Sequence, residues 1–174
     1  MHETASLVQT TITMLKDPIL DILSKDARVS LESLADQSAL TVDAVAAKIE
    51  EYQKRGVILG FQAVLDEDKA GSQDVSALIE VRVTPERGGG FDRLSQRISR
   101  FDQVVSCWLM SGGYDLAVIV QASDLRGVAS FVSQKLSTLD GVLSTATHFK
   151  LKSYKDGGFL ANVDSESERL PVTP

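Results

Sequence analysis

The chain has 174 residues, of which 43% are hydrophobic, with 18 Lys and Arg against 24 Asp and Glu and a formal net charge of −6. This is the composition of an ordinary globular protein, long enough for one domain or two small ones, and its apolar runs fall far short of the roughly 18 residues a membrane helix needs. The acidic balance argues against broad, non-specific nucleic-acid binding, which depends on Lys and Arg neutralising phosphates, while leaving room for a local basic face.

In chain order, residues 1–16 carry Leu7, Val8, Ile12 and Leu15 with no cationic segment before them. They read as an amphipathic helical extension and not as a secretory signal, so a cytoplasmic protein is expected. Asp17-Pro18 suits an N-cap followed by proline at the first helical position, and Ile19, Leu20, Ile22 and Leu23 supply an apolar stripe. Ser30 can cap a second helix with Leu31, Leu34 and Ala35, and Thr41 a third that turns Val42, Val45, Ala46, Ile49 and Tyr52 inward. Lys54 and Arg55 stand where a helix C-terminus favours cations, and Gly56 is the stop. "VILGFQAVL" (57–65) then reads as a strand. Three helices and a strand over 17–65 make a winged helix-turn-helix arrangement; a helical cap without a partner is the plainer alternative.

Residues 66–74, "DEDKAGSQD", are polar enough for a linker, after which the period changes to two. "VSALIEVRV" reads as a strand, and Phe91, Leu94, Ile98 and Phe101 recur at helical spacing. "QVVSCWLM" and "YDLAVIVQA" are two more strands. Leu125, Val128, Val132, Leu136 and Leu139 mark a second helix, and "VLSTATHFKLK" a fourth strand. The single cysteine, Cys107, excludes an internal disulfide framework; within its apolar run it reads as a buried, inert thiol. With only His2 and His148, no Cys/His cluster has metal-ligand spacing, and no metal or cofactor is expected.

The order βαββαβ over 75–153 can pack as a ferredoxin-like sandwich with both helices on one face. The predicted fold class is α+β, a winged helix-turn-helix domain followed by this second domain. If the period holds, the other face presents Leu143, Thr145, Thr147, Phe149 and Leu151, an apolar surface that a second copy would cover in a twofold dimer. The tail, 154–174, begins with glycines and ends polar; Phe159, Leu160 and Val163 are positioned to pin it to a neighbouring subunit, and otherwise it is disordered.

The stretches "ILDILSKDARVSLESLADQSALTVDAVAAKIEEYQKRGVILGFQAVLD", "LMSGGYDLAVIVQA" and "LSTLDGVLSTATHFKLKSYK", in this order around the βαββαβ pattern, resemble the Lrp/AsnC ("feast/famine") transcriptional regulators over roughly 17–155. The resemblance implies a DNA-reading N-terminal domain, a C-terminal effector and assembly domain, dimers that often build into octamers, and, as in many members, an amino acid or related metabolite bound between subunits. It matches the hairpin Ser111, Gly112, Gly113, Tyr114 and Asp115 to an effector loop, and Ser144, Thr145 and Thr147 to the opposite wall. Asp115 can accept from an ammonium through a charge-assisted hydrogen bond; the plainer role for a turn Asp is to bond its own backbone.

The recognition helix departs from the family. Thr41, Asp43, Ala44, Ala47 and Lys48 occupy the positions that face DNA, yet only Thr41 and Lys48 have suitable chemistry, and Ala39 stands where a turn glycine is common. From Asp17 to Gly71 six bases oppose eleven acids, a balance of −5, so weak DNA binding per domain is expected, with an octamer supplying avidity. Arg28, Lys54 and Arg55 are the backbone-contact candidates; Lys54 and Arg55 can equally serve the helix dipole. One alternative is a ligand-binding oligomer of the same build that acts on a protein partner. An enzyme is not expected: siroheme decarboxylases are similar in build, but strand three is apolar and only His148 is at hand. "RGGGF" (87–91) reads as a flexible connection more readily than as an anion loop.

Overall fold

The computed structural model describes residues 16–84 and 90–161, and the chain divides into two compact units at Val64/Leu65. The expected N-terminal helical extension and the distal tail, Val163 included, lie outside the described residues.

The first unit holds α1 (Pro18–Lys25), α2 (Leu31–Ser38) and α3 (Val42–Lys54), each begun by the residue its sequence advertises. Asp17, Ser30 and Thr41 accept hydrogen bonds from Ile19 and Leu20, from Ser33, and from Ala44, respectively. These caps satisfy backbone donors that a helix start leaves open. Ile19, Leu34, Ala35, Val45 and Tyr52 form the buried core, with Ile49 and Ile58 against it.

The expected strand over 57–65 is absent. Val57 and Ile58 donate their N–H groups to the Tyr52 carbonyl at 2.8 and 3.2 Å; beyond them the segment enters no ladder, and Leu59, Phe61, Val64 and Leu65 are exposed. Apolar, β-prone residues make a strand only where another strand accepts their hydrogen bonds, and no strand among the described residues does so here. The helix-turn-helix therefore stands without a β wing. Nor is 66–74 a free linker: it contains a turn, and Glu67 pairs with Lys150 at 2.5 Å.

The second unit is a four-stranded antiparallel sheet in the order β2-β3-β1-β4, from β1 (Val75–Val83), β2 (Val104–Leu109), β3 (Leu116–Ala122) and β4 (Val142–Phe149). Helices α4 (Gly90–Ile98) and α5 (Leu125–Phe131), the latter running into a π-helical turn at Val132–Leu136, supply the residues that cover one face. Ala77, Ile79, Val81, Leu116, Val118 and Val120 meet Ile98, Val128, Phe131 and Leu136 there, and Phe101 sets its edge against Phe131 at 5.4 Å. Cys107 packs against this core, and burial pushes its thiol pKa up, which keeps the reactive thiolate scarce.

The pairing corrects the expected open face. Thr145, Thr147 and Phe149 lie opposite Val81, Ile79 and Ala77, so they stand on the helix side of an edge strand. Leu143 is the extra residue of a bulge, since Ser144 pairs with Arg82 and Val142 with Val83, and Leu151 lies past the strand. Alternation tells which residues share a face and not which face it is; a shift of one inverts the set. By register, the open face carries Leu78, Ala117, Ile119, Trp108 and Ala146 at its centre, framed by Ser76, Glu80, Arg82, Ser106, Gln121, Ser144 and His148. The proximal tail is structured as a short hairpin, β5 (Lys155–Asp156) with β6 (Phe159–Leu160), turning on Gly157 and Gly158 at positive φ.

Candidate functional site

The β2–β3 hairpin ends in Ser111-Gly112-Gly113-Tyr114, closed by the Met110 N–H donating to the Asp115 carbonyl at 2.8 Å. Gly112 has φ +139°, a backbone that side chains rarely adopt, and nothing lies within 4 Å of where a Cβ would stand on Gly112 or Gly113. The tip therefore offers bare backbone to whatever approaches it.

The Asp115 side chain does not bond its own turn. Its Oδ2 accepts from the backbone N–H of Val83, on the neighbouring β1, at 2.8 Å, and its own N–H donates to the Val81 carbonyl at 3.0 Å. The carboxylate thus continues the ladder where the strand leaves it, which explains a charge set against a buried run. Oδ1 takes no hydrogen bond among the described residues. The β1–β3 register ends at Val81–Leu116, where the Asp115 N–H goes to the Val81 carbonyl; Arg82, the next residue of β1, pairs with Ser144 on its other side. Arg82 and Ser144 lie together on the open face at the end of β1, next to the Val83 N–H that the Asp115 carboxylate holds. Thr145 and Thr147 are on the opposite side, and Thr145 Oγ1 lies 3.3 Å from Ser137 Oγ. The expected wall is split: Ser144 stands on the open face and the two threonines on the helix side. Sequence reasoning did not single out Arg82, whose place opposite Ser144 depends on a strand pairing distant in sequence.

In the first unit, Thr41, Asp43 and Ala47 are exposed on α3, and Ala44 is half-buried. Lys48 turns toward α1, with Nζ 3.5 Å from Asp17 Oδ2, the same oxygen that accepts the Tyr52 hydroxyl at 2.6 Å. Burial alone would raise the Asp17 pKa, but the bonds from Tyr52, Leu20 and Ile19 and the Lys48 charge together hold it below the usual carboxylate value. Lys54 pairs with Glu50 at 3.4 Å and Arg55 with Glu51 at 2.7 Å, each one turn away. Arg28 is exposed and has no ion pair among the described residues. The exposed face of α3 thus presents cations already matched by their own carboxylates.

No group of three or more His, Cys, Asp and Glu side chains that could hold a metal occurs among the described residues, and no described helix is long and apolar enough to cross a membrane.

A helix-turn-helix unit joined to a ferredoxin-like sandwich with an acid at the hairpin tip defines a two-domain regulator architecture. The family model for the Lrp/AsnC ligand binding domain matches residues 76–159. A curated relative, the uncharacterized HTH-type transcriptional regulator YugG of Bacillus subtilis (strain 168), is 43% identical over 94% of this chain and 99% of its own length. The Bkd operon transcriptional regulator of Pseudomonas aeruginosa is 30% identical over 78% of this chain and 88% of its own. Among solved structures, the leucine response regulatory protein of Mycobacterium tuberculosis superposes with a TM-score of 0.67 at 23% identity, covering 81% of this chain and 93% of that one. The chain belongs to the Lrp/AsnC family of transcriptional regulators.

Proposed function

We propose that this chain is a DNA-binding transcriptional regulator whose assembly or DNA binding responds to an amino acid or related small metabolite held at the hairpin end of the sheet, between subunits. The observation that carries the reading is Asp115, with one carboxylate oxygen fixed by the Val83 N–H and the other open beside a bare glycine tip. An ammonium meets Oδ1 by a charge-assisted hydrogen bond. The ligand carboxylate meets the Gly112 and Gly113 backbone with Ser111, the Arg82 guanidinium and the Ser144 hydroxyl, while Tyr114 flanks the tip. Thr145 and Thr147, on the far side of an edge strand, serve a ligand only across a subunit boundary. The open face, apolar at its centre and polar at its rim, has the anatomy of a protein interface, and a second copy is the partner that twofold symmetry supplies.

DNA is read by α3 through Thr41, Asp43, Ala44, Ala47 and Lys48, with Arg28, Lys54 and Arg55 at the phosphates. Because Lys48, Lys54 and Arg55 each face a carboxylate, affinity per unit is low, and an octamer compensates through effective concentration. The same pairing favours a second reading, a ligand-responsive oligomer that contacts a protein through α3. A mobility-shift assay at low salt on the DNA upstream of the gene, with and without amino acids, separates the two; no shift in any condition supports the protein-binding module. For the ligand site, Asp115→Asn keeps an acceptor for Val83 and removes the charge: the effector response is lost while the dimer persists. An unchanged ligand isotherm refutes the role.

A further inference from the structure

We propose a second small-molecule site, for a free α-amino acid, in the cavity that α4 forms with the ends of β1 and β4. The cavity, open on one side to solvent, holds about 280 Å³, just below the roughly 300–1,000 Å³ range of ligand sites, the scale of a metabolite and not of a nucleotide or a peptide. Its walls are Val83 and Thr84 from β1, Leu94 and Arg97 from α4, and the Asp140-Gly141 turn that leads into β4. Arg93, one turn back on the same face of α4, also borders the cavity. Gly141 sits at φ +92°, and its carbonyl accepts the Thr84 N–H at 2.8 Å, which ties the turn to the strand end.

The charges identify the ligand. Arg97 and Asp140 line one cavity, yet no ion pair joins them to each other or to any other described residue, and both are exposed. A guanidinium and a carboxylate that do not neutralise one another suit a molecule carrying both opposite charges: its carboxylate pairs with Arg97 and its ammonium with Asp140. Leu94 supplies apolar surface for a side chain. A plain anion would satisfy the arginine and be repelled by Asp140.

This cavity adjoins the hairpin site through one backbone. Val83 lines the cavity and gives its N–H to Asp115 Oδ2. Occupancy that shifts the end of β1 therefore bears directly on the carboxylate proposed to receive the effector. The two sites share no other residue.

The test is calorimetric titration of the full-length chain with each of the twenty L-amino acids and, separately, with inorganic phosphate, repeated on Arg97→Gln, Asp140→Asn and Asp115→Asn. Circular dichroism confirms that each variant is folded. At least one amino acid is expected to bind the parent chain, with affinity falling about tenfold or more in both Arg97→Gln and Asp140→Asn, the scale of one lost charged hydrogen bond. Phosphate is expected to bind at least tenfold more weakly than that amino acid. Loss in these two variants with Asp115→Asn unchanged supports the cavity and removes the hairpin reading; loss in Asp115→Asn alone overturns the cavity and leaves the hairpin. Loss in all three, with two equivalents bound per parent chain, supports both; with one equivalent it overturns a separate cavity site. Phosphate binding as tight as any amino acid, or no amino acid binding at all, overturns it too.

Discussion

Ala39 ends α2 with φ 55° and ψ 39°, and among the described residues it is the one non-glycine at positive φ. The Leu40 N–H reaches back to the Ala35 carbonyl at 3.0 Å, the long return bond of a helix stop that glycine ordinarily makes. An L-residue in this region costs about 1–2 kcal/mol because Cβ crowds the following carbonyl. Replacing it with glycine relieves that strain but loosens the unfolded chain by about 0.4–1 kcal/mol. Ala39→Gly is therefore expected to stabilise the helical unit by about 0.5–1 kcal/mol, a rise of roughly 2–8 °C in Tm for a unit of this size. The check is a thermal melt of the full chain followed by far-ultraviolet circular dichroism, with Ala39→Val alongside. Valine, β-branched and worse suited to positive φ, is expected to lower the melting temperature. If glycine leaves it unchanged or lowers it, the strain argument fails.

Tyr52→Phe removes the hydroxyl bonded to Asp17 and is expected to cost about 1 kcal/mol, since the site is only partly buried. Because the folded Asp17 pKa is depressed, its contribution is full above the unfolded value of 3.8 and fades as pH falls through the lower folded one. The stability gap between parent and variant in urea titrations should therefore narrow below about pH 4; a pH-independent gap would contradict the assignment. Glu50→Gln with Glu51→Gln frees Lys54 and Arg55 and is expected to tighten DNA binding about tenfold and steepen its salt dependence by up to two phosphate contacts, read by mobility shift; unchanged affinity would remove both cations from the DNA surface. Ile119→Lys puts an unmatched charge at the centre of the open face and should convert the dimer to monomer in light scattering, an outcome that an unaltered mass would refute.

The helices were legible because each start is written in adjacent residues: Asp17-Pro18, Ser30 and Thr41 cap where the local chemistry says. The four strands and their order were legible from period and turns. What failed depended on partners distant in sequence. The run 57–65 has the composition of a strand but no ladder to join, and the orientation of β4 is fixed by its pairing with β1, sixty residues back, with a bulge at Leu143. The hairpin acid was legible as a charge against a buried run, while its bond to Val83 was not, because thirty-two residues separate the two.

The single tryptophan of the chain, Trp108, stands half-exposed on the bare side of the sheet, opposite Ala117. If the proposed dimer forms through this face, an indole there is an intrinsic optical gauge of it: dilution that parts the subunits returns it to water and shifts its emission to the red, with no added dye. Association constants, and any pull a metabolite exerts on them, can thus be read from native fluorescence alone.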